Sequence, residues 1–242
     1  MAIREEEITY AAAGMTCRSF LALPEGDTPR PAVIVVHEWW GLNEYIRGRA
    51  RQLAESGYVA LAVDMYGDGR VGDDPAAATE LMGTVLSDIQ VGEQRFQAAM
   101  DFLSARPEVA SDKIAAMGYC FGGAIVLHEA RIGAPLRAVV SFHGSLGSFH
   151  KPAKGEVKAR VLVCHGAADA LVPEEDIENL AREMQDAEAD YRFEAYPGAL
   201  HGFSNPGADA KASTYGMPLG YDAAADEKSF ASMQALFAEV FA

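Results

Sequence analysis

Cysteine, positive charge and long apolar runs are all scarce in this chain, and each scarcity closes off a class of function. The three cysteines among 242 residues, Cys17, Cys120 and Cys164, make no C-x-x-C pair and no even framework. Sparse thiols of this kind fit a reducing compartment and exclude a disulfide-stapled scaffold. Lys and Arg number 20 against 35 Asp and Glu, a formal net charge of −15. Nucleic-acid binders gather cations on one face, so a nucleic-acid partner is not expected. No stretch approaches the ~18 apolar residues that span a bilayer, and no membrane partner is expected either. Met1–Glu7 is charged and lacks an apolar h-region, so it does not read as a secretory signal, and a cytoplasmic location is expected. What is plentiful is core material: 50% of residues are hydrophobic. The expectation is a soluble acidic globular protein, a monomer or weak homodimer.

Strand and helix signals alternate along the chain. Pro31–His37 is a continuous, β-branched apolar run, the pattern of a strand covered on both faces. A helix over Arg47–Ser56 follows, then a strand over Tyr58–Asp64. Pro75 opens a long helical stretch to Ala105, with an interruption expected near Gly92. Further strands are expected at Lys113–Met117, Ala138–Phe142, Arg160–Cys164 and Tyr191–Tyr196. Helices are expected at Ala124–Ala130, Glu174–Ala187 and Asp226–Phe241. Strands separated by helices imply βαβ crossovers, hence an α/β fold with a mostly parallel sheet flanked by helices. Ile8–Tyr10 and Arg18–Leu23 read instead as an antiparallel β-hairpin at the sheet edge. With no repeat and no Ser/Gly linker, residues 1–242 read as one domain. The longest irregular segments, 144–157 and 205–222, are candidate lids.

The most informative stretch is Gly118-Tyr119-Cys120-Phe121-Gly122-Gly123. It has the form of a nucleophile elbow, G-x-S-x-G, with cysteine in the serine position. Between a strand and a helix, such a turn lifts its central side chain over the helix N-terminus, where the dipole favours a thiolate. Cys120 could equally be one more buried cysteine in a glycine-rich turn. A catalytic thiol needs a base, and the base needs a carboxylate to orient it. In an α/β-hydrolase sheet these follow the nucleophile in the order acid, then histidine. Val161-Leu162-Val163-Cys164-His165-Gly166-Ala167-Ala168-Asp169 offers the acid after a buried strand. Tyr196-Pro197-Gly198-Ala199-Leu200-His201 offers the base after the next. Loops at the carboxyl ends of parallel strands converge, so Cys120, Asp169 and His201 can meet.

Each residue has a plainer alternative. Asp169 could cap the helix that starts near Pro173. Glu38, in His37-Glu38-Trp39-Trp40-Gly41, could be a surface residue paired with Arg47 or Arg49. His37, His143, His165 and His201 could gather around zinc, but they lack metal-ligand spacing, and no metal or cofactor is expected. The turn at Glu38–Trp39 is where this fold supplies its second oxyanion-hole amide, so the backbone amides of Trp39 and Phe121 are the candidate donors. A glutamate there suits a thiol better than an ordinary esterase serine.

Taken together, His37-Glu38-Trp39-Trp40-Gly41, Asp64-Met65-Tyr66-Gly67, the cysteine elbow, His165–Asp169 and Tyr196–Phe203 resemble the dienelactone hydrolase family. That resemblance implies an α/β-hydrolase fold, a Cys120–His201–Asp169 triad, a thioester acyl-enzyme, and Glu38 as the carboxylate that holds the resting thiol. It implies a carboxylic ester hydrolase acting on a small-molecule ester or lactone. An acyl transferase or thioesterase using the same acyl-cysteine is the alternative, and a non-catalytic ligand-binding or redox-responsive protein a third. In one respect the chain departs from the family. Where members that open dienelactones carry an arginine four residues past the catalytic histidine, this chain has Asn205. Arg70 is the candidate substitute, and neutral or differently charged substrates are expected.

Overall fold

The computed structural model describes residues 1–242, which divide into two compact units, Met1–Ala116 and Met117–Ala242. The division falls inside one strand, β5 (Val109–Tyr119).

The first unit opens with β1 (Ile3–Ala12) and β2 (Met15–Pro24), an antiparallel pair in register from Ile3 opposite Pro24 to Ala12 opposite Met15. The two residues between them, Ala13 and Gly14, both have positive φ (47° and 73°). That is the type I′ geometry whose twist matches a hairpin. The hairpin is longer at both ends than its apolar residues suggest, and Glu5, Glu6 and Glu7 near the start of β1 each find an arginine. Glu7 pairs with Arg47, Glu5 with Arg51 at 2.8 Å, and Glu6 with Arg106 at 3.1 Å. Charges along an edge strand also discourage pairing with another chain.

Next come β3 (Arg30–Val36), α1 (Glu44–Glu55) and β4 (Val59–Val63). β3 and β4 pair in parallel, while β2 pairs with β4 antiparallel. Every residue of β4 is buried, as is β3 from Ala32 onward, which accounts for the unbroken apolar runs in the sequence. α1 starts earlier than expected because Asn43 caps it, its side chain accepting from Ile46 N–H. The expected long helix is two, α2 (Pro75–Leu86) and α3 (Ile89–Ser104). The break lies at Ser87–Asp88 rather than Gly92, since Asp88 accepts from Gln90 N–H and starts a new helix. Gly92 sits buried inside α3. The unit closes with most of β5 (Val109–Tyr119), giving the strand order β1-β2-β4-β3-β5.

In the second unit the end of β5 leads into α4 (Phe121–Arg131), every residue of which is buried. Then come β6 (Ala138–Phe142), β7 (Arg160–Gly166), α5 (Glu174–Asp186) and β8 (Tyr191–Tyr196). The order is β5-β6-β7-β8, with β6–β7 and β7–β8 both parallel. Two helices finish the chain, α6 (Ala208–Tyr215) and α7 (Ala223–Phe241). α6 was not expected from the sequence and lies inside the segment 205–222. All three candidate catalytic residues therefore follow the carboxyl ends of parallel strands: Cys120 after β5, Asp169 after β7 and His201 after β8.

Candidate active site

Cys120 stands at the N-cap of α4 with φ 53° and ψ −115°, a conformation rarely adopted by a residue with a Cβ. The surrounding glycines make that turn possible. A Cβ on Gly118 would lie 2.1 Å from the Gly122 carbonyl oxygen, and one on Gly123 would meet Ser141 Oγ at 2.5 Å. The Cys120 N–H donates to Phe142 O at 3.1 Å, tying the elbow to β6. Cys120 makes no side-chain cap bond to α4. Of the three cysteines only Cys120 is partly exposed. Burial pushes the Cys17 thiol up to about 11 and the Cys164 thiol up to about 12, which makes both poor nucleophiles.

His201 and Asp169 are brought together by two interlocked loops. The Ala168 N–H donates to Ala199 O at 2.9 Å, and the Ala167 N–H to Tyr196 O at 2.9 Å. The result is a hydrogen bond from His201 Nδ1 to Asp169 Oδ2 of 2.8 Å, buried on both sides. Asp169 Oδ1 accepts from the Leu171 N–H at 2.9 Å. Asp169 does not cap α5, whose N-cap is Pro173 without a side-chain bond. Beyond His201, the Gly220 N–H donates to His201 O at 3.1 Å, so the 205–222 segment with α6 is anchored to the histidine loop.

The electrostatics follow from that geometry. Burial disfavours the charged His201 ring, but the charge of the Cys120 sulfur and the hydrogen bonds to Asp169 and Cys120 outweigh it. The ring is pushed up to about 10. With Nδ1 committed to Asp169, Nε2 is the nitrogen that meets the sulfur. Burial alone would raise Asp169, yet the bond and charge of His201 hold its carboxyl below the ordinary value. One imidazole thus bridges a buried carboxylate and a partly exposed thiol.

Two further histidines flank the pair. The His143 ring lies 5.2 Å from that of His201, edge to face, and its Nε2 is 2.8 Å from Ser204 Oγ. His143 has φ 38°, another left-handed residue at a strand end. His165 is buried next to Asp169, and burial pushes its pKa down. Neither pattern was separable from a core histidine in the sequence, although His143 follows β6 and His165 lies just before the end of β7. No group of three or more His, Cys, Asp or Glu side chains is arranged to hold a metal ion.

Glu38 and Trp39 belong to the first unit, in the turn after β3. Glu38 is buried, 4% exposed, rather than a surface residue, and Arg47 pairs with Glu7 instead. Trp40 is buried and Trp39 half-buried, their rings 4.7 Å apart. Arg70 is bound to its own loop, with Nε donating to Gly67 O at 3.2 Å and Nη2 to Tyr66 O. Asn205 is buried, and its Oδ1 accepts from the Gly207 N–H at 2.8 Å at the start of α6.

Comparison with known proteins gives the family and the fold. The model of the Dienelactone hydrolase family matches residues 17–241. A Saccharolobus solfataricus protein named as a candidate carboxymethylenebutenolidase is 30% identical over 234 residues, covering 83% of this chain and 89% of its own. Among solved structures, m3DLH is 40% identical with a TM-score of 0.94, covering 100% of both chains. A dienelactone hydrolase-like promiscuous phosphotriesterase, P91, from metagenomic libraries is 37% identical with a TM-score of 0.91, again over 100% of both chains. These likenesses give the chain the α/β-hydrolase fold. No helix is long and apolar enough to cross a membrane.

Proposed function

We propose, from the premise that this chain belongs to the dienelactone hydrolase family and is a carboxylic ester hydrolase, that it cleaves esters or lactones through a thioester on Cys120. The Cys120 thiolate attacks the acyl carbonyl, forming a C–S bond and moving the carbonyl π pair onto oxygen. The backbone amides of Phe121 and Trp39 donate to that oxygen as it becomes negative. Collapse expels the alcohol, which takes its proton from His201 Nε2. In the thioester the sulfur is uncharged, so the strongest influence raising His201 is gone. The ring can then accept a proton from water, whose oxygen attacks the thioester. The second collapse releases the carboxylic acid and restores the thiolate–imidazolium pair. Asp169 holds His201 in the Nδ1–H tautomer throughout. At rest Glu38 accepts from the Cys120 S–H. When substrate displaces Glu38, that proton passes to His201 Nε2, which forms the attacking thiolate–imidazolium pair, and it returns to sulfur after the acid has left.

The observation that carries this reading is the buried Asp169–His201 bond at 2.8 Å, with Cys120 on the other side of the same ring. A burst assay with an activated aryl ester tests it. One equivalent of alcohol should appear before steady turnover, and prior alkylation of Cys120 should remove both phases. A burst that survives alkylation would refute the acyl-cysteine.

Substrate charge follows from Asn205. Without an arginine there, a substrate carboxylate loses a bidentate anchor, and Arg70 is occupied by loop carbonyls. Neutral esters and lactones are the proposed substrates. Residues 1–242 are proposed to form one domain, supported by a family match that spans residues 17–241, on both sides of Ala116.

A second reading draws on the 37%-identical phosphotriesterase. The same thiolate would attack phosphorus in an aryl dialkyl phosphate, forming a P–S bond as the aryloxide leaves. Release of aryloxide from such a triester, lost in Cys120→Ala, is the test.

A further inference from the structure

We infer that His37 is a positioning residue that aims the Trp39 amide; this rests on the proposed use of that amide as an oxyanion donor. β3 ends at Val36, and the chain then turns through His37 to Gly41. His37 is fully buried, and both ring nitrogens are committed to backbone groups. Nδ1 lies 2.5 Å from Glu38 O, and Nε2 lies 3.2 Å from Met65 N. An amide N–H can only donate, so Nε2 is the acceptor and Nδ1 carries the hydrogen, directed at Glu38 O. Burial also pushes His37 down to about 4, which keeps this neutral tautomer in place near neutral pH.

Glu38 O takes a second donor, the Gly41 N–H at 3.1 Å. That carbonyl shares a planar peptide with the Trp39 N–H, and no peptide bond in the chain is cis. In a trans peptide the C=O and N–H point in opposite directions, so fixing the Glu38 oxygen fixes the direction of the Trp39 hydrogen. The following peptide is held as well, since Tyr66 Oη donates to Trp39 O at 2.8 Å. Trp39 is thus clamped on both sides, by His37 before it and Tyr66 after it, and the two rings pack edge to face at 4.6 Å.

The platform beneath is rigid. The Asp64 carboxylate accepts four backbone N–H groups, from Arg18, Tyr66, Gly67 and Gly69, at 2.8–3.0 Å. Arg95 Nη1 holds Met65 O at 2.6 Å. An apolar ring in place of His37 would fill the space but release one hold on Glu38 O and leave the Met65 N–H without its acceptor. The Trp39 peptide could then rotate. Its effect on a developing oxyanion would be lost, while Cys120, His201 and Asp169 would keep their own contacts.

The test is stopped-flow acylation by an aryl acetate in His37→Phe, His37→Asn and His37→Gln, beside alkylation of Cys120 by iodoacetamide. Displacement of iodide builds no charge on a carbonyl oxygen, so alkylation reports the thiol without the oxyanion hole. His37→Phe should acylate roughly 10–100-fold more slowly, as for a misaligned oxyanion donor, with KM and alkylation unchanged. Asn places its side-chain N–H near the position of Nδ1 and should restore most of the rate. Gln reaches the Nε2 position instead and should not. If the Phe variant fails to fold, the Asn–Gln contrast decides. Equal rates in Asn and Gln, unchanged acylation in Phe, or parallel loss of acylation and alkylation would each overturn the assignment. Failure of the underlying reading has a separate signature: in the parent enzyme carrying a tetrahedral analogue on Cys120, the analogue's oxygen would lie beyond hydrogen-bond reach of the Trp39 N–H.

Discussion

Gly166 and Ala199 approach backbone to backbone: a Cβ on Gly166 would stand 2.5 Å from Ala199 O and 2.8 Å from Leu200 O. The acid loop and the histidine loop are packed at glycine spacing, and the Asp169–His201 bond depends on it. Gly166→Ala should push residues 199–201 away. Overpacking of this kind typically costs about 1–3 kcal/mol, and displacing a catalytic group by about 1 Å can cost on the order of 10²-fold in rate. Melting temperature and kcat/KM measured together check this. A variant with native activity would mean that the loops move apart harmlessly.

The elevated His201 predicts a pH profile. Its folded pKa of about 10 lies above the ordinary histidine value of 6.5. The ring therefore stabilises the fold fully below 6.5, and that contribution is lost as pH rises through about 10. Acylation needs the imidazolium to protonate the leaving alcohol, so kcat/KM should hold until the same alkaline limb. In Asp169→Asn one raising influence disappears and the limb should move to lower pH. The rate should also fall by roughly 10³ or more, since the tautomer is no longer enforced. An unmoved limb with unchanged kcat would make Asp169 a structural residue only.

Much of this was legible in the chain. The spacing of Cys120, Asp169 and His201 carries order and strand-end position, both set by local pattern. The role of Asp169 was ambiguous because Asp before Pro173 is also a capping signal, and only tertiary packing directs its carboxylate to His201. α6 escaped because its N-cap is Gly207, with no side-chain cap, and Pro206 precedes it as a loop signal. The split at Ser87–Asp88 was hidden by continuous helical composition. His143 beside His201, and His37 beneath Trp39, are relations between strand ends, which no single segment encodes.

Glu38 offers a reactivity test. A carboxylate that accepts the resting S–H favours the neutral thiol by hydrogen bonding and by like-charge repulsion. Glu38→Gln should alkylate faster than the parent at neutral pH, while ester turnover falls. Unchanged alkylation across the pH range would remove Glu38 from the thiol's environment.

Asn205→Arg should shift preference toward carboxylated lactones, by restoring a bidentate partner worth about tenfold or more in kcat/KM. Matched neutral and carboxylated lactones give the ratio directly. A parent enzyme that already prefers the carboxylated member would contradict the proposed substrate charge.

The central claim is the thioester on Cys120, and rapid acid quench with mass spectrometry reaches it most directly. An activated aryl ester mixed with enzyme and quenched during the burst should leave a single acyl group on the peptide that contains Cys120, with none in Cys120→Ala. Acyl on Cys17 or Cys164, or undiminished hydrolysis by Cys120→Ala, would contradict the account.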